Sequence, residues 1–196
     1  MKLYQLYDTL FKQYGPQGWW PINGAYYKKD YSEKNENEKF EIAVGAILTQ
    51  NTKWVNVEKV LKLLRRNQLL NREGIQDIES QALAVLIKPS GYYNQKVKKL
   101  KSLASFNKVI SRESLLEIWG IGPETADSIL LYAYNEPIFV IDSYTKRIML
   151  KYNIGDINWD YNQWQTFFHN NLEKDYKIFN EFHALIVKHA QSIKLN

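Results

Sequence analysis

Residues 119–148 read WGIGPETADSILLYAYNEPIFVIDSYTKRI. Gly120 and Gly122 flank Ile121, and a helical apolar pattern begins at Pro123, just after another segment of helical spacing, SRESLLEIW. Both glycines can adopt a positive φ, so this predicted hairpin can turn unpaired backbone N–H groups outward at the start of a helix. Such groups bind phosphate. A plain helix-glycine-helix corner is the alternative, and Ile121 filling the turn from inside favours the phosphate-binding interpretation.

A single carboxylate, Asp142, follows the apolar run PIFVI and precedes the helical segment SYTKRIMLKY. An aspartate at this place is a typical N-cap of a helix. A capping carboxylate that accepts backbone N–H bonds is kept ionised and fixed in direction. The position therefore suits both a structural role and a chemical one.

Helical spacing dominates the rest of the chain, and strand alternation is nearly absent, which predicts an all-α fold. The charged stretch at 28–39, KKDYSEKNENEK, is predicted as an exposed loop leading into the apolar helix FEIAVGAILTQ. The i, i+3, i+4 pattern is carried by Leu3, Leu6, Tyr7, Leu10, Phe11 and Tyr14, by Val57, Val60, Leu61 and Leu64, and by Phe182, Leu185, Ile186 and His189.

The 196 residues carry a net charge of +5 with a pI near 9.1, which favours a polyanionic partner. Nucleic acid is the first such partner to consider, and an anionic membrane surface is the second. The chain has no cysteine, which excludes disulfides, thiol catalysis and cysteine-held metal clusters. There is no run of about 18 uncharged apolar residues, so we expect a soluble, unexported, cytoplasmic protein.

The segments GIGPETADSILLYA and VIDSYTKRI together resemble the helix-hairpin-helix and Gly/Pro/Asp signature of the endonuclease III superfamily of DNA glycosylases. GAILTQNTKWVNVEKVL, KPSGYYNQKVKKL and EFHALIVKHA resemble three further family motifs in the expected order. WWP, LTQNTKW and PSGYYNQK are most similar to the small 3-methyladenine DNA glycosylases. The resemblance runs through most of the chain.

This resemblance implies two α-helical lobes with a central DNA-binding cleft. Residues 1–49 and 136–196 would form one lobe, and residues 50–135 would form the other and carry the helix-hairpin-helix motif. The partner would be double-stranded DNA containing a damaged base, bound by a monomer without a cofactor. The chain lacks the family's iron-sulfur loop, and His183 and His189 are interpreted as packing or capping residues rather than metal ligands.

The resemblance assigns the catalytic role to Asp142. Cleavage of an N-glycosidic bond leaves a cation-like sugar, which a carboxylate can stabilise while it orients or deprotonates the attacking water. Bifunctional family members carry a nucleophilic lysine two residues after the second glycine of the hairpin, where this chain has Glu124. We therefore expect a monofunctional enzyme that leaves an abasic site.

Aromatic residues are expected to hold the extruded base. The resemblance implies that Trp20, Pro21 and Trp54 sandwich it, and a purine made cationic by alkylation stacks well on electron-rich rings. The alternative is that these tryptophans belong to the core, which is the preferred interpretation for Trp19.

The resemblance also assigns contacts with the DNA duplex. Gln50 would enter the gap left by the base and Tyr92 would wedge against the partner base; the alternatives are a polar surface residue and a half-buried ring. The residues expected along the DNA backbone are Gly120, Ile121, Gly122, Thr125 and Lys96. The lysine run that includes Lys96 could instead be a solvated helix face.

One departure from the methyladenine enzymes concerns the last helix. Leu185 and Gln191 stand where those enzymes carry lysines that reach the base pocket, and Lys188 falls at another helical angle. Another damaged purine, uracil and mismatched thymine therefore stay open as substrates. A noncatalytic helix-hairpin-helix DNA-binding protein is the alternative from a different functional class.

Overall fold

The computed structural model describes residues 2–27 and 31–193, and it confirms the all-α prediction. Within these ranges the only β-type pairing is an antiparallel bridge between Ile22 and Ala25, and a 3₁₀ turn spans Lys88–Ser90. The α-helices are α1 (Leu3–Tyr14), α2 (Glu36–Leu48), α3 (Trp54–Arg66), α4 (Arg72–Asp77), α5 (Ser80–Ile87), α6 (Tyr93–Ala104), α7 (Arg112–Leu116), α8 (Pro123–Tyr134), α9 (Ser143–Lys151), α10 (Tyr161–Asn171) and α11 (Tyr176–Ser192).

Polar N-caps set the start of several helices. Asn35 and Glu38 form a reciprocal capping box at the start of α2, in which the Glu38 amide donates to Asn35 Oδ1 at 3.0 Å. The predicted loop at 28–39 therefore ends earlier than expected, because Asn35 begins the helix at Glu36. Residues 28–30 of that predicted loop lie outside the described residues.

Two compact units divide the chain. The first unit takes the described residues within 1–21, 26–32 and 130–196. In it, α11 contacts both α1 and α9. Its core is aromatic: the rings of Phe139 and Phe168 stack with centroids 3.9 Å apart, and Phe179 and Phe182 are fully buried beside Phe139.

The second unit takes residues 22–25 and 33–129. Its helix α6 contacts α2, α4 and α5, while α3 contacts α2 and α5. Fully buried aliphatic side chains such as Val60, Leu64 and Leu100 form its core. Burial of each such side chain contributes about 1.5–3 kcal/mol of hydrophobic free energy.

These units correct the predicted lobe boundaries. Residues 33–49 were expected with the N- and C-terminal segments, but α2 packs on α3 and α6 and so belongs to the second unit. Residues 130–135 belong to the first unit rather than to the segment that carries the hairpin. Sequence periodicity shows which face of α2 is apolar but does not show which helices cover that face.

No helix among the described residues is both long and apolar enough to cross a membrane.

Candidate functional site

Asp142 caps the N-terminus of α9 in the first unit, as its sequence position predicts. Its Oδ1 accepts a hydrogen bond of 2.6 Å from the Thr145 backbone amide. Its Oδ2 lies 3.6 Å from Nε2 of His183, and 14% of the Asp142 side chain is exposed. The carboxylate is therefore fixed in direction, but it is not sealed from solvent.

The surroundings of Asp142 keep it ionised. Burial acts to raise the pKa of its carboxyl group, but the nearby His183 and the hydrogen bonding from Thr145 outweigh burial and hold the pKa below its ordinary value. An ionised carboxylate at neutral pH can stabilise a developing positive charge or accept a proton from water. It cannot serve as a general acid in that state.

Two residues that the sequence analysis did not assign to the site lie behind Asp142. The Tyr132 hydroxyl lies 2.6 Å from Nδ1 of His183, and both side chains are buried. His183 was predicted to be a packing or capping residue, and that prediction missed its approach to Asp142. A signal was available, because Tyr132 and His183 are polar groups within the otherwise apolar runs LLYAY and FHALI.

Trp20 contacts Tyr132 through ring packing within the first unit. Its ring centroid lies 5.4 Å from that of Tyr132 at an interplanar angle of 57°. Trp20 is 7% exposed and Pro21 is buried, whereas Trp19 is only half-buried. The chain of contacts therefore runs from Trp20 through Tyr132 and His183 to Asp142.

Trp54 belongs to the second unit, where it is the first residue of α3 and half-buried. The base-holding role predicted for Trp20, Pro21 and Trp54 stays a prediction. A surface depression of about 440 Å³ beside α10 is lined by Trp159, Phe167 and neighbouring polar residues, and it contains none of the predicted site residues.

The predicted hairpin forms in the second unit between α7 and the start of α8. Ser111 caps α7, and the Arg112 guanidinium ties the two helices together through hydrogen bonds of 2.6 and 3.2 Å to the buried carboxylate of Asp127. Ile121 is 5% exposed, as expected for a residue that fills the turn from inside. The hairpin is thus a rigid support for its two exposed glycines.

The two glycines of the hairpin differ in conformation. Gly120 has a φ of +83°, whereas Gly122 does not adopt a positive φ, which corrects the expectation that both might. The Ile121 amide donates to the Ile118 carbonyl at 3.0 Å, and the Gly122 amide has no hydrogen-bond partner among the described residues. Gly122 therefore offers a phosphate an unpaired N–H group, and the Ile121 amide does not.

Gln50 is tied to the hairpin rather than free. Its Nε2 donates to the Gly120 carbonyl at 3.1 Å and to Thr125 Oγ1 at 2.9 Å, while Lys99 Nζ donates to its Oε1. Thr125 is 8% exposed, so its hydroxyl serves this internal contact. The DNA-backbone contact predicted at Thr125 stays a prediction, and a wedge role for Gln50 requires its amide to leave these partners.

Tyr92 is the most accessible of the predicted DNA-contacting side chains. It is 71% exposed, which differs from the half-buried alternative, and it stands at the N-cap of α6 with a φ of +46°. The preceding Gly91 has a φ of +66°. These two left-handed residues make a tight turn that presents the ring of Tyr92 to solvent.

Lys96 was predicted to contact the DNA backbone, and the structure contradicts this prediction. The residue is 1% exposed, and its ammonium donates to the Leu48 carbonyl at 2.8 Å, to Thr52 Oγ1 at 2.7 Å and to the Ser90 carbonyl at 2.8 Å. All three ammonium hydrogens are thereby used inside the protein. Lys96 thus holds together the turns that bear Gln50 and Tyr92.

In the last helix, α11, Leu185 is fully buried in the first unit, whereas Gln191 and Lys188 are exposed. His189 accepts or donates hydrogen bonds of 2.9 Å to the hydroxyls of Tyr14 and Tyr152, which fits its predicted packing role. Among residues 2–27 and 31–193, no group of three His, Asp or Glu side chains is placed to hold a metal ion.

Comparison with known protein families places the chain in one of them. The model of the HhH-GPD superfamily base excision DNA repair proteins matches residues 44–173. The chain belongs to this family. It is 38% identical over 205 aligned positions to a protein of Methanocaldococcus jannaschii that is provisionally named a DNA repair glycosylase, and this alignment covers 96% of the chain and 87% of that relative.

Solved structures resemble the whole chain of this family member. The H. pylori 3-methyladenine DNA glycosylase bound to 1,N6-ethenoadenine is 29% identical, with a TM-score of 0.78 and full coverage of both chains. A trapped covalent intermediate of endonuclease III with DNA has a TM-score of 0.77 at 14% identity, covering 98% of the chain and 87% of that protein, and it shows the shared fold alone.

Proposed function

We propose that the chain is a monofunctional DNA N-glycosylase that removes an alkylated purine from double-stranded DNA and leaves an abasic site. The observation that carries the proposal is the ionised, direction-fixed carboxylate of Asp142 at the start of α9. A carboxylate held in this way needs little rearrangement when positive charge develops on a sugar beside it.

Asp142 has one oxygen engaged by the helix and one that faces His183. The Thr145 amide holds Oδ1, so the carboxylate cannot rotate without losing that bond. As the N-glycosidic bond breaks, the carboxylate stabilises the cation-like sugar and orients or deprotonates the water that attacks it. The base leaves with the bonding electron pair, and water becomes the hydroxyl of the abasic sugar.

The preference for an alkylated purine rests on chemistry and on similarity. Alkylation at N3 or N7 makes a purine cationic, which strengthens its stacking on an indole ring and makes the base a better leaving group. The 29% identical H. pylori glycosylase is named for 3-methyladenine and was solved with 1,N6-ethenoadenine, itself a modified purine.

The absence of lyase chemistry is proposed from Glu124. This carboxylate stands two residues after Gly122, where the bifunctional relatives carry the lysine that attacks the sugar. A carboxylate at that position cannot form a Schiff base. Water is therefore the proposed nucleophile, and borohydride should trap no covalent adduct between the enzyme and DNA.

A substrate panel tests this proposal. Duplexes with 3-methyladenine, 7-methylguanine, 1,N6-ethenoadenine, hypoxanthine, uracil or a G·T mismatch would be incubated with excess enzyme, and the released base measured in a single turnover. We expect release from the alkylated purines. Preferred release of uracil or mismatched thymine would overturn the assigned substrate while keeping the glycosylase.

The buried Leu185 and the exposed Gln191 are the reason to include those other substrates, because the similar methyladenine enzymes carry pocket lysines there. A noncatalytic DNA-binding protein is the second candidate function. It predicts duplex binding without release of any base, in the wild type and in Asp142→Asn alike.

A further inference from the structure

Tyr132 and His183 form a buried chain of polar groups that ends on the carboxylate of Asp142. The Tyr132 hydroxyl oxygen lies 2.6 Å from His183 Nδ1, and His183 Nε2 lies 3.6 Å from Asp142 Oδ2. Tyr132 is 1% exposed and His183 is 7% exposed. These side chains come from α8 and α11, so the fold brings them to Asp142 from two different elements.

The chemistry of Tyr132 restricts the protonation of His183. Burial, together with the charges of Asp142 and Glu181, raises the pKa of the Tyr132 phenol well above its ordinary value, so the phenol stays protonated. Its O–H can then donate to Nδ1, which places the hydrogen of a neutral imidazole on Nε2. A doubly protonated ring also carries a hydrogen on Nε2.

Both of these protonation states therefore turn an N–H group toward Asp142. The remaining tautomer, with its hydrogen on Nδ1, would set the lone pair of Nε2 against a carboxylate, which is unfavourable. Nε2 is buried and has no hydrogen-bond partner among the described residues, and at 3.6 Å the carboxylate is just beyond hydrogen-bond reach. Buried N–H groups without a hydrogen-bond partner are rare in folded proteins, so the place of this one beside the predicted catalytic carboxylate points to a use.

We infer that His183, held in one tautomer by Tyr132, is a positioning residue that orients Oδ2 of Asp142 toward the reacting sugar. This inference rests on the function proposed above. The Thr145 amide fixes one carboxylate oxygen, and the N–H group at His183 Nε2 attracts the other oxygen from 3.6 Å, so the carboxylate is oriented from both sides. Neither Tyr132 nor His183 needs to touch the DNA.

The first test reads the tautomer in the DNA-free protein, independently of any activity. Two-bond ¹H–¹⁵N spectra of histidine-labelled protein would be recorded, and the His183 signals assigned by their loss in His183→Gln. We expect an Nε2–H pattern in the wild type, a mixture of tautomers in Tyr132→Phe, and a shift of the His183 nitrogens in Asp142→Asn. A neutral Nδ1–H tautomer in the wild type would overturn the inference.

The second test separates positioning from packing by single-turnover base release and duplex affinity. His183→Gln keeps an amide donor near the place of Nε2 and should stay within about fivefold of the wild type, whereas His183→Leu should lose about 100-fold with unchanged duplex affinity. Tyr132→Phe keeps the ring and should lose about tenfold. Thermal unfolding of each variant verifies that the fold is kept.

The outcomes distinguish this inference from the proposed function. A wild type that releases base and a His183→Leu variant of equal rate would overturn the positioning role and leave the glycosylase intact. A wild type that releases no base from any duplex of the panel would overturn the proposed function and, with it, the catalytic use of the Tyr132–His183–Asp142 contacts. The NMR spectra would still decide whether Tyr132 sets the His183 tautomer.

Discussion

Asp142 in the first unit and Lys96 in the second are both buried charged groups, but their surroundings differ. The Lys96 ammonium has three oxygen acceptors at 2.7–2.8 Å, one for each hydrogen. Asp142 has one close amide donor and one imidazole nitrogen that stops at 3.6 Å. Lys96 is almost completely buried, whereas 14% of the Asp142 side chain is exposed.

This difference separates a structural charge from a chemical one. A buried charge whose hydrogen-bonding capacity is used up inside the protein holds the chain together and has nothing left for a ligand. A charge that is held firmly on one side and incompletely on the other keeps capacity for a reacting group. Lys96 therefore anchors loops, and Asp142 is the group of the two that can act on a substrate.

The largest expected effect is on base release by Asp142→Asn. Asparagine is also a good N-cap, so α9 should keep its start while the negative charge is lost. We expect release of an alkylated purine to fall about 1,000-fold with duplex affinity nearly unchanged, because a charge that acts on the transition state is removed.

Asp160→Asn is the matched control for this variant. Asp160 caps α10 as Asp142 caps α9, with its Oδ1 accepting from the Gln163 amide at 2.8 Å, but it is exposed and lies outside the predicted site. Base release by this variant should equal that of the wild type. Equal losses in both variants would mean that the aspartates matter only as helix caps.

The next effect is on stability and comes from Lys96→Met. Methionine can occupy the apolar space of the lysine stem, but it leaves the Leu48 and Ser90 carbonyls without the ammonium. We expect a loss of about 2–3 kcal/mol, measured as a fall in the midpoint of thermal unfolding of roughly 4–12 °C. Lys98→Met is the control, because Lys98 is exposed on the same helix and should leave the midpoint unchanged.

The pH dependence of the stability difference between Lys96→Met and the wild type gives a sharper test of the role of Lys96. Burial first, and then the charge of Lys99, lower the pKa of Lys96 to about 8 from the 10.5 of an ordinary lysine. Between these two values the unfolded chain binds the proton that the folded chain has released, so Lys96 makes the folded state gain stability as the pH rises from 8 toward 10.5.

Lys96→Met lacks this titration, and all other groups are shared with the wild type. The stability gap between the two proteins should therefore widen with rising pH, by at most about 1.4 kcal/mol per pH unit. Urea midpoints at pH 7, 8, 9 and 10 measure this gap. A gap that narrows over this range would contradict the lowered pKa of Lys96.

The sequence could predict the local features of this molecule. The start of α9 at Asp142 and the hairpin around Ile121 depend on neighbours within a few positions, and each was anticipated. The contact between Tyr132 and His183 joins residues 51 positions apart, which depends on how α8 and α11 pack. A local pattern marks each residue as a polar group within an apolar run, but it does not show that the two side chains meet.

The burial of Lys96 is indicated by its helical spacing, but the density of lysines around it points the other way. It stands four positions before Leu100 and seven before Leu103, both fully or almost fully buried, so helical spacing places it on the apolar face of α6. The neighbouring Lys98, Lys99 and Lys101 made the segment resemble a basic surface stripe. A lysine in register with leucines is therefore better interpreted by helical position than by charge density.

The smallest expected effect concerns the two glycines of the hairpin. They repeat the contrast between Lys96 and Asp142, because one glycine is packed against the protein and the other is open to a ligand. A Cβ at Gly120 would stand 2.5 Å from the Lys99 side chain at a φ of +83°, so Gly120→Ala should destabilise the fold by about 1–2 kcal/mol.

A Cβ at Gly122 would meet nothing within 4 Å, and the backbone there is not left-handed. Gly122→Ala should therefore unfold at the wild-type temperature, yet its methyl group would hinder a phosphate that approaches the unpaired Gly122 amide. We expect duplex affinity to fall about fivefold, or about 1 kcal/mol, in a fluorescence titration at fixed salt. Wild-type affinity in Gly122→Ala would mean that the phosphate is held elsewhere, and the hairpin would then be only the corner between two helices.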